Sequence, residues 1–142
     1  MHFAGTTPSP VQTRMIEIGL KFLKFCVVGS LGLGIDFGIT WLVKEKARWN
    51  KYVANSLGFI CAASSNFILN KVWTFHDTNP DQFVQYGKFI LIALVGLVLN
   101  NLIIYLLINK RGVKFYWAKL FAIGVVVLWN FVANYNFTFT SE

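Results

Sequence analysis

The chain has 142 residues, of which 56% are hydrophobic, 17% aromatic and only 13% charged, with a mean hydropathy of +0.55 and a net charge of +7. A soluble domain carries about a quarter of its residues as charges, so this composition lies outside the usual soluble range. The basic excess does not point to nucleic acid, because Lys and Arg gather at the ends of apolar stretches, where membrane phosphates would meet them.

Taken from the N-terminus, Met1 to Ser9 is rich in Pro, Thr and Gly and reads as a disordered leader. Residues 11–23 then alternate Ile16, Leu20 and Leu23 with Arg14, Glu17, Lys21 and Lys24, the pattern of an amphipathic helix lying on the membrane surface. Leader and surface helix together occupy residues 1–21, and nothing in them has the form of a removable signal peptide. Four apolar stretches follow. Residues 25–43 hold one charge, Asp36, while residues 53–70, 89–109 and 120–141 hold none. A hydrocarbon core of about 30 Å needs roughly 20 helical residues, so each stretch is long enough for one span. The predicted helices are residues 22–43, 52–73, 86–108 and 116–137, which makes the chain an all-α membrane protein with four transmembrane helices in residues 22–142.

The second half repeats the first at a shift of 64 residues with no gap, giving 14 identities over 52 aligned positions. Lys24-Phe25 falls on Lys88-Phe89, Gly32-Leu33 on Gly96-Leu97, Asn66-Phe67 on Asn130-Phe131, Asn70 on Asn134 and Thr74-Phe75 on Thr138-Phe139. Repeat one covers about residues 22–76 and repeat two about residues 86–140. A two-helix unit returns the chain to the side it entered, so the copies are expected to run parallel about an axis along the membrane normal. Gly29, Ser30 and Gly32, with the GxxxG pair Gly34 and Gly38, mark the first helix as one that neighbouring helices approach closely.

Chemistry rests on the polar residues inside the spans. Asp36 lies about 12 residues beyond Lys24, near mid-bilayer at 1.5 Å per residue. A carboxylate there costs on the order of 3 kcal/mol or more, so it is expected to face the interior as a coupling group or to be buried against Asn100, Asn101, Ser64 or Ser65. Its repeat counterpart is Asn100, followed by Asn101. Near the end of the second helix Asn66 and Asn70 share a face, and Asn130 and Asn134 repeat them, as interhelical glue or the lining of a polar cleft. Lys24, Lys71 and Lys88 lie at the same level and suit either a phosphate or simple snorkelling. Cys26 and Cys61 have no CxxC spacing, the histidines His2 and His76 lie outside the spans, and no acidic pair shares a face. Neither metal nor cofactor nor catalytic residue is expected.

These residues carry a resemblance. Lys24-Phe25 with Val28-Gly29, the run Asn66-Phe67-Ile68-Leu69-Asn70-Lys71-Val72-Trp73-Thr74-Phe75, and Asn130-Phe131 through Phe137-Thr138-Phe139 resemble the GtrA-like family of small four-helix membrane proteins. Tyr135-Asn136 departs from that pattern, which usually has a basic residue there, and this leaves Lys71 as the main phosphate candidate. The resemblance implies translocation of a polyprenyl-phosphate-linked sugar across the cytoplasmic membrane for cell-surface polysaccharide synthesis. It further implies a membrane glycosyltransferase as partner and a multi-pass protein of the inner membrane with both termini in the cytoplasm. The loops between the first and second and between the third and fourth helices hold eight Lys or Arg against five on the side of the termini, a count that points the other way by a margin of three. Asn66, Asn70, Lys71, Lys24, Lys88, Asn130 and Asn134 become the headgroup-binding set and Asp36, Asn100 and Asn101 the intramembrane polar set. Four helices enclose a sugar thinly, so a homodimer or a complex with the glycosyltransferase would complete the enclosure. Two other readings are an accessory subunit that anchors a glycosyltransferase without transport, and a small proton-coupled multidrug exporter that depends on Asp36.

Overall fold

The structure is a computed structural model that describes Gly5 and residues 7–139, without the side chains of Lys51, Tyr52 and Tyr116. Most of the expected leader, Met1 to Ala4 and Thr6, lies outside the described residues, as does Thr140 at the end of the second repeat. The described residues form four α-helices and no strand.

Helix α1 runs Pro10–Trp41. Ser9 caps it: its hydroxyl accepts the Gln12 N–H at 3.2 Å while the Gln12 side chain accepts the Ser9 N–H at 2.9 Å, and Pro10 sits where a missing N–H costs nothing. Residues 11–21 are therefore helical, but as part of one continuous helix without the expected boundary at Phe22. No proline falls within residues 11–41, and charge alternation alone does not end a helix. At 32 residues α1 is about 48 Å long, so it tilts or overshoots the hydrocarbon at one end.

Helix α2 runs Lys51–Leu69, α3 Gln82–Arg111 and α4 Phe115–Ala133. Gly112 ends α3 in the left-handed conformation, φ 63°, returning its N–H to Ile108 O at 3.1 Å. The other three helices end in single π turns, Leu42–Lys46, Asn70–Thr74 and Asn134–Thr138. In the second and third of these the Phe75 N–H reaches Asn70 O and the Phe139 N–H reaches Asn134 O, each at 2.9 Å. Both bounds of α2 and of its π turn recur in α4 and its π turn at an offset of 64. Asn-x-x-x-Thr accounts for the shared geometry: the Thr74 hydroxyl donates to Asn70 Oδ1 and the Thr138 hydroxyl to Asn134 Oδ1, both at 2.8 Å.

Helix α1 packs along α2, and α3 along α4. The halves meet in an aromatic cluster at the end that carries the second and third π turns. At its centre the Phe75 and Phe139 rings stack with centroids 4.7 Å apart, inclined at 14°. Around that stack the ring contacts recur under exchange of the halves: Phe25 on Phe131 at 5.6 Å and Phe89 on Phe67 at 5.7 Å, Phe22 on Phe131 at 5.2 Å and Tyr86 on Phe67 at 5.4 Å. Each such pair contributes about 0.5–1.5 kcal/mol beyond its burial. Tyr86 also bonds the Ser64 hydroxyl at 3.0 Å, tying α3 to α2.

Among the described residues three helical segments are long and apolar enough to cross a membrane, Pro10–Lys46, Gln82–Arg111 and Trp117–Thr138. The second expected span, α2 with its π turn, is not among these three; it carries Asn55, Ser56, Ser64, Ser65, Asn66, Asn70 and Lys71. The polar groups toward its end are turned into the protein: Asn70 and Lys71 are buried and Ser64, Ser65 and Asn66 half-buried.

Candidate functional site

A cavity of about 500 Å³ lies among the helices, within the 300–1,000 Å³ usual for small-molecule sites. Its walls are mainly α1, α2 and α4, with Phe89 and Ala93 contributed by α3. Most of the lining is apolar, and the polar part is the expected one: Asn66, Asn70, Asn130 and Asn134 all reach the cavity, joined by Asp36 and Ser30 of α1. The fourfold spacing on two helices is what places two amides of each helix on the same face.

The amides fall into two kinds. Asn70 and Asn134, 2% and 1% exposed, spend their oxygens on Thr74 and Thr138, and Asn134 Nδ2 also donates to Asn130 O at 2.8 Å. They hold the π turns. Asn66 Oδ1 and Asn130 Oδ1 are buried with no hydrogen-bond partner among the described residues. An unsatisfied buried polar atom costs about 1–3 kcal/mol, so these two oxygens are the expensive feature of the cavity.

Room for them comes from glycine. A methyl group at Gly32 would collide with the whole carboxamide of Asn66, and one at Gly96 would come within 3.0 Å of Asn130 Oδ1 and 3.2 Å of Val126. Gly32→Ala is therefore expected to push Asn66 off its rotamer and cost about 1–3 kcal/mol, with Gly96→Ala milder. Thermal unfolding of the two variants in detergent checks the order.

Asp36 lines the cavity, but not with the partners expected for it. Its Oδ1 accepts the Thr40 hydroxyl at 3.3 Å, one turn on in the same helix, and Gly58 of α2 packs directly against both residues. Asn100 is half-buried and Asn101 exposed, and neither lines the cavity; Ser64 bonds Tyr86 instead. A hydroxyl four residues away on the same helix is always within reach, whereas α3 would have to lie alongside α1 for Asn100 to serve.

The three lysines do not converge. Lys71, 7% exposed, gives its ammonium to Gln85 Oε1 at 2.6 Å, Asn79 O at 2.8 Å and Asp77 Oδ1 at 3.3 Å, which uses all three donors. Gln85 in turn donates to Asp77 Oδ2 at 2.9 Å and Thr138 O at 3.1 Å, so this network clasps the end of α4 to the loop after α2. Lys24 donates to Trp73 O at 3.3 Å and lies 5.4 Å from the centre of the Trp73 ring. Lys88 is exposed on a polar groove of about 690 Å³ beside Asp77, Gln85 and Asn136. The expected phosphate contact at Lys71 is thus occupied by the protein's own acceptors.

The family described as GtrA/DPMS, transmembrane domain, matches residues 24–139. The chain belongs to that family. Similar proteins within reach of this GtrA/DPMS chain include the "Cell wall teichoic acid glycosylation protein GtcA" of Listeria innocua serovar 6a, 21% identical over 115 residues that cover 79% of each chain. A protein of the same name from Listeria monocytogenes is 23% identical over 111 residues, covering 76% of this chain and 77% of the relative.

Sequence reading of the GtrA/DPMS segment missed Gln85 and Asp77, which enclose Lys71, and the pairing of Gly32 and Gly96 with the two amides. The glycines had a signal, since they are among the identities of the repeat; Gln85 and Asp77 had none, because their counterparts fall outside the matched positions.

Proposed function

We propose that this protein translocates a polyprenyl-phosphate-linked sugar across the cytoplasmic membrane for cell-surface polysaccharide synthesis, with both termini in the cytoplasm and a membrane glycosyltransferase using the sugar on the far side. The observation that carries this reading is the cavity among the helices, with four amides, one carboxylate and the Ser30 hydroxyl in a mainly apolar wall. A sugar crossing hydrocarbon loses its hydration, and polar groups fixed inside the protein replace it. The relatives named for cell wall teichoic acid glycosylation agree with such a role. The chain itself performs no bond chemistry in this reading; it shelters the head while the prenyl tail stays in lipid.

Filling the cavity tests it. Gly29 lines the cavity, and a Cβ built there meets nothing within 4 Å, so Gly29→Leu occupies the space without a clash at its root. In vesicles reconstituted with the full chain, Gly29→Leu is expected to fold as wild type and to slow transfer of the sugar lipid at least tenfold. An accessory subunit that only anchors a glycosyltransferase would leave cell-surface glycosylation unchanged in the same variant. A proton-coupled exporter would instead lose pH-driven export of cationic drugs on Asp36→Asn.

A further inference from the structure

We propose that a cleft between α1 and the π turn that follows α4 binds a phosphate group, with Lys21 and Arg14 as its cations. The ground for this is an exchange between the two halves. At the repeat offset of 64, Lys71 corresponds to Tyr135 and Gln85 to Lys21. Lys71 Nζ meets Gln85 Oε1 at 2.6 Å, and Lys21 Nζ lies over the Tyr135 ring, 5.4 Å from its centre. The same crossing contact, from the π turn of one half to the first helix of the other, thus occurs twice with the ammonium on opposite partners.

The two ammoniums differ in what surrounds them. Asp77 Oδ1 and Asn79 O close over Lys71 from the loop after α2 and use up its donors. Lys21 is half-buried and has the ring face, but no acceptor for its ammonium among the described residues. Ser141, which is uncharged and lies outside the described residues, stands at the repeat position of Asp77. Lys21 borders a cleft of about 550 Å³, together with Thr13, Arg14 and Glu17 of α1 and Tyr135. Arg14 and Lys21 are seven residues apart, so they share a helix face at about 10 Å along the axis, a gap that two long side chains close on one anion. Neither of them, nor Glu17, joins an ion pair among the described residues. Two cations against one carboxylate leave one positive charge in excess. A guanidinium fork, an ammonium and the Tyr135 hydroxyl are donors suited to phosphate oxygens. The cleft lies just beyond the aromatic cluster, since Tyr135 contacts Phe75 at 6.1 Å and Phe131 at 6.0 Å. Resting on the translocation reading, the phosphate is that of the sugar lipid, for which Lys71 is closed. A free phosphate has the same chemistry, and the test separates the two.

Binding of a polyprenyl phosphate without sugar, and separately of inorganic phosphate, is measured on the full chain in an uncharged detergent. Lys21→Gln and Arg14→Gln are each expected to weaken binding of the polyprenyl phosphate about fivefold, the weight of one cation at a membrane surface, with unfolding temperature unchanged. Glu17→Gln is expected to tighten it. The deciding variant is the exchange Lys21→Gln/Tyr135→Lys, which copies the Lys71 and Gln85 arrangement and returns a cation to the cleft, so that affinity recovers. Equal affinity of Lys21→Gln and wild type, or a loss that the exchange fails to restore, overturns the site. Inorganic phosphate bound with the same dependence, and polyprenyl phosphate not bound, overturns the lipid as its source. Transfer of the sugar lipid in vesicles is read separately. Lys21-dependent binding without any transfer by wild type sinks the translocation reading and leaves the site standing, whereas transfer with Lys21-independent binding does the reverse.

Discussion

Lys71→Ala is expected to destabilise the folded protein by about 3–5 kcal/mol, the usual cost of stranding one partner of a buried ion pair. The side chains of Lys71 and Asp77 are 9% and 3% exposed, with Nζ and Oδ1 3.3 Å apart. Removal of the ammonium leaves Asp77 Oδ1, Asn79 O and Gln85 Oε1 without their shared donor. Gln85 is then freer to release Thr138 O, which loosens the clasp between the loop after α2 and the end of α4. Asp77→Ala should cost nearly as much, and Lys71→Met/Asp77→Leu clearly less than the two single costs added, because the pair is removed as a unit. Denaturant unfolding in detergent of the four proteins forms the cycle. Were Lys71 a phosphate contact instead, Lys71→Ala would unfold like wild type and lose transport only.

That difference shows where the sequence stopped being legible. The amide rows were legible because their spacing is that of a helix face and because the repeat doubles it; Asn66, Asn70, Asn130 and Asn134 duly line one cavity. The aromatic ends were legible for the same reason, and Phe75 stacks on its own counterpart Phe139. The destiny of Lys71 was not. Its partners lie at offsets of 6, 8 and 14 residues, in a loop and the next helix, and no periodicity links them to it. Continuous α1 was likewise hidden, since the charges at Arg14, Glu17, Lys21 and Lys24 mark a change of solvent rather than an end of helix. Asp36 lines the cavity half-buried, and its expected partners on the second and third helices were too far afield, since a hydroxyl one turn away takes the bond.

The larger contrast is between stability and use. Lys71 is expected to matter for folding, whereas Asn66 and Asn130 are expected to oppose it. Each leaves a buried oxygen unpartnered among the described residues, and Leu has nearly the same shape without the polar atom. Asn66→Leu and Asn130→Leu should therefore each stabilise the protein by about 1–2 kcal/mol, the desolvation cost they remove, while transport falls. Loss of function with a gain in stability is the mark of polar groups held ready for a ligand. Glue between helices behaves in the opposite way, because its removal costs stability whether or not cargo is present. The Asn70→Leu and Asn134→Leu variants supply that comparison within the same cavity: their oxygens hold Thr74 and Thr138, so both should destabilise and disturb the π turns. If Asn66→Leu and Asn130→Leu lower the unfolding temperature as Asn70→Leu does, all four amides are structural and the cavity loses its claim to a cargo.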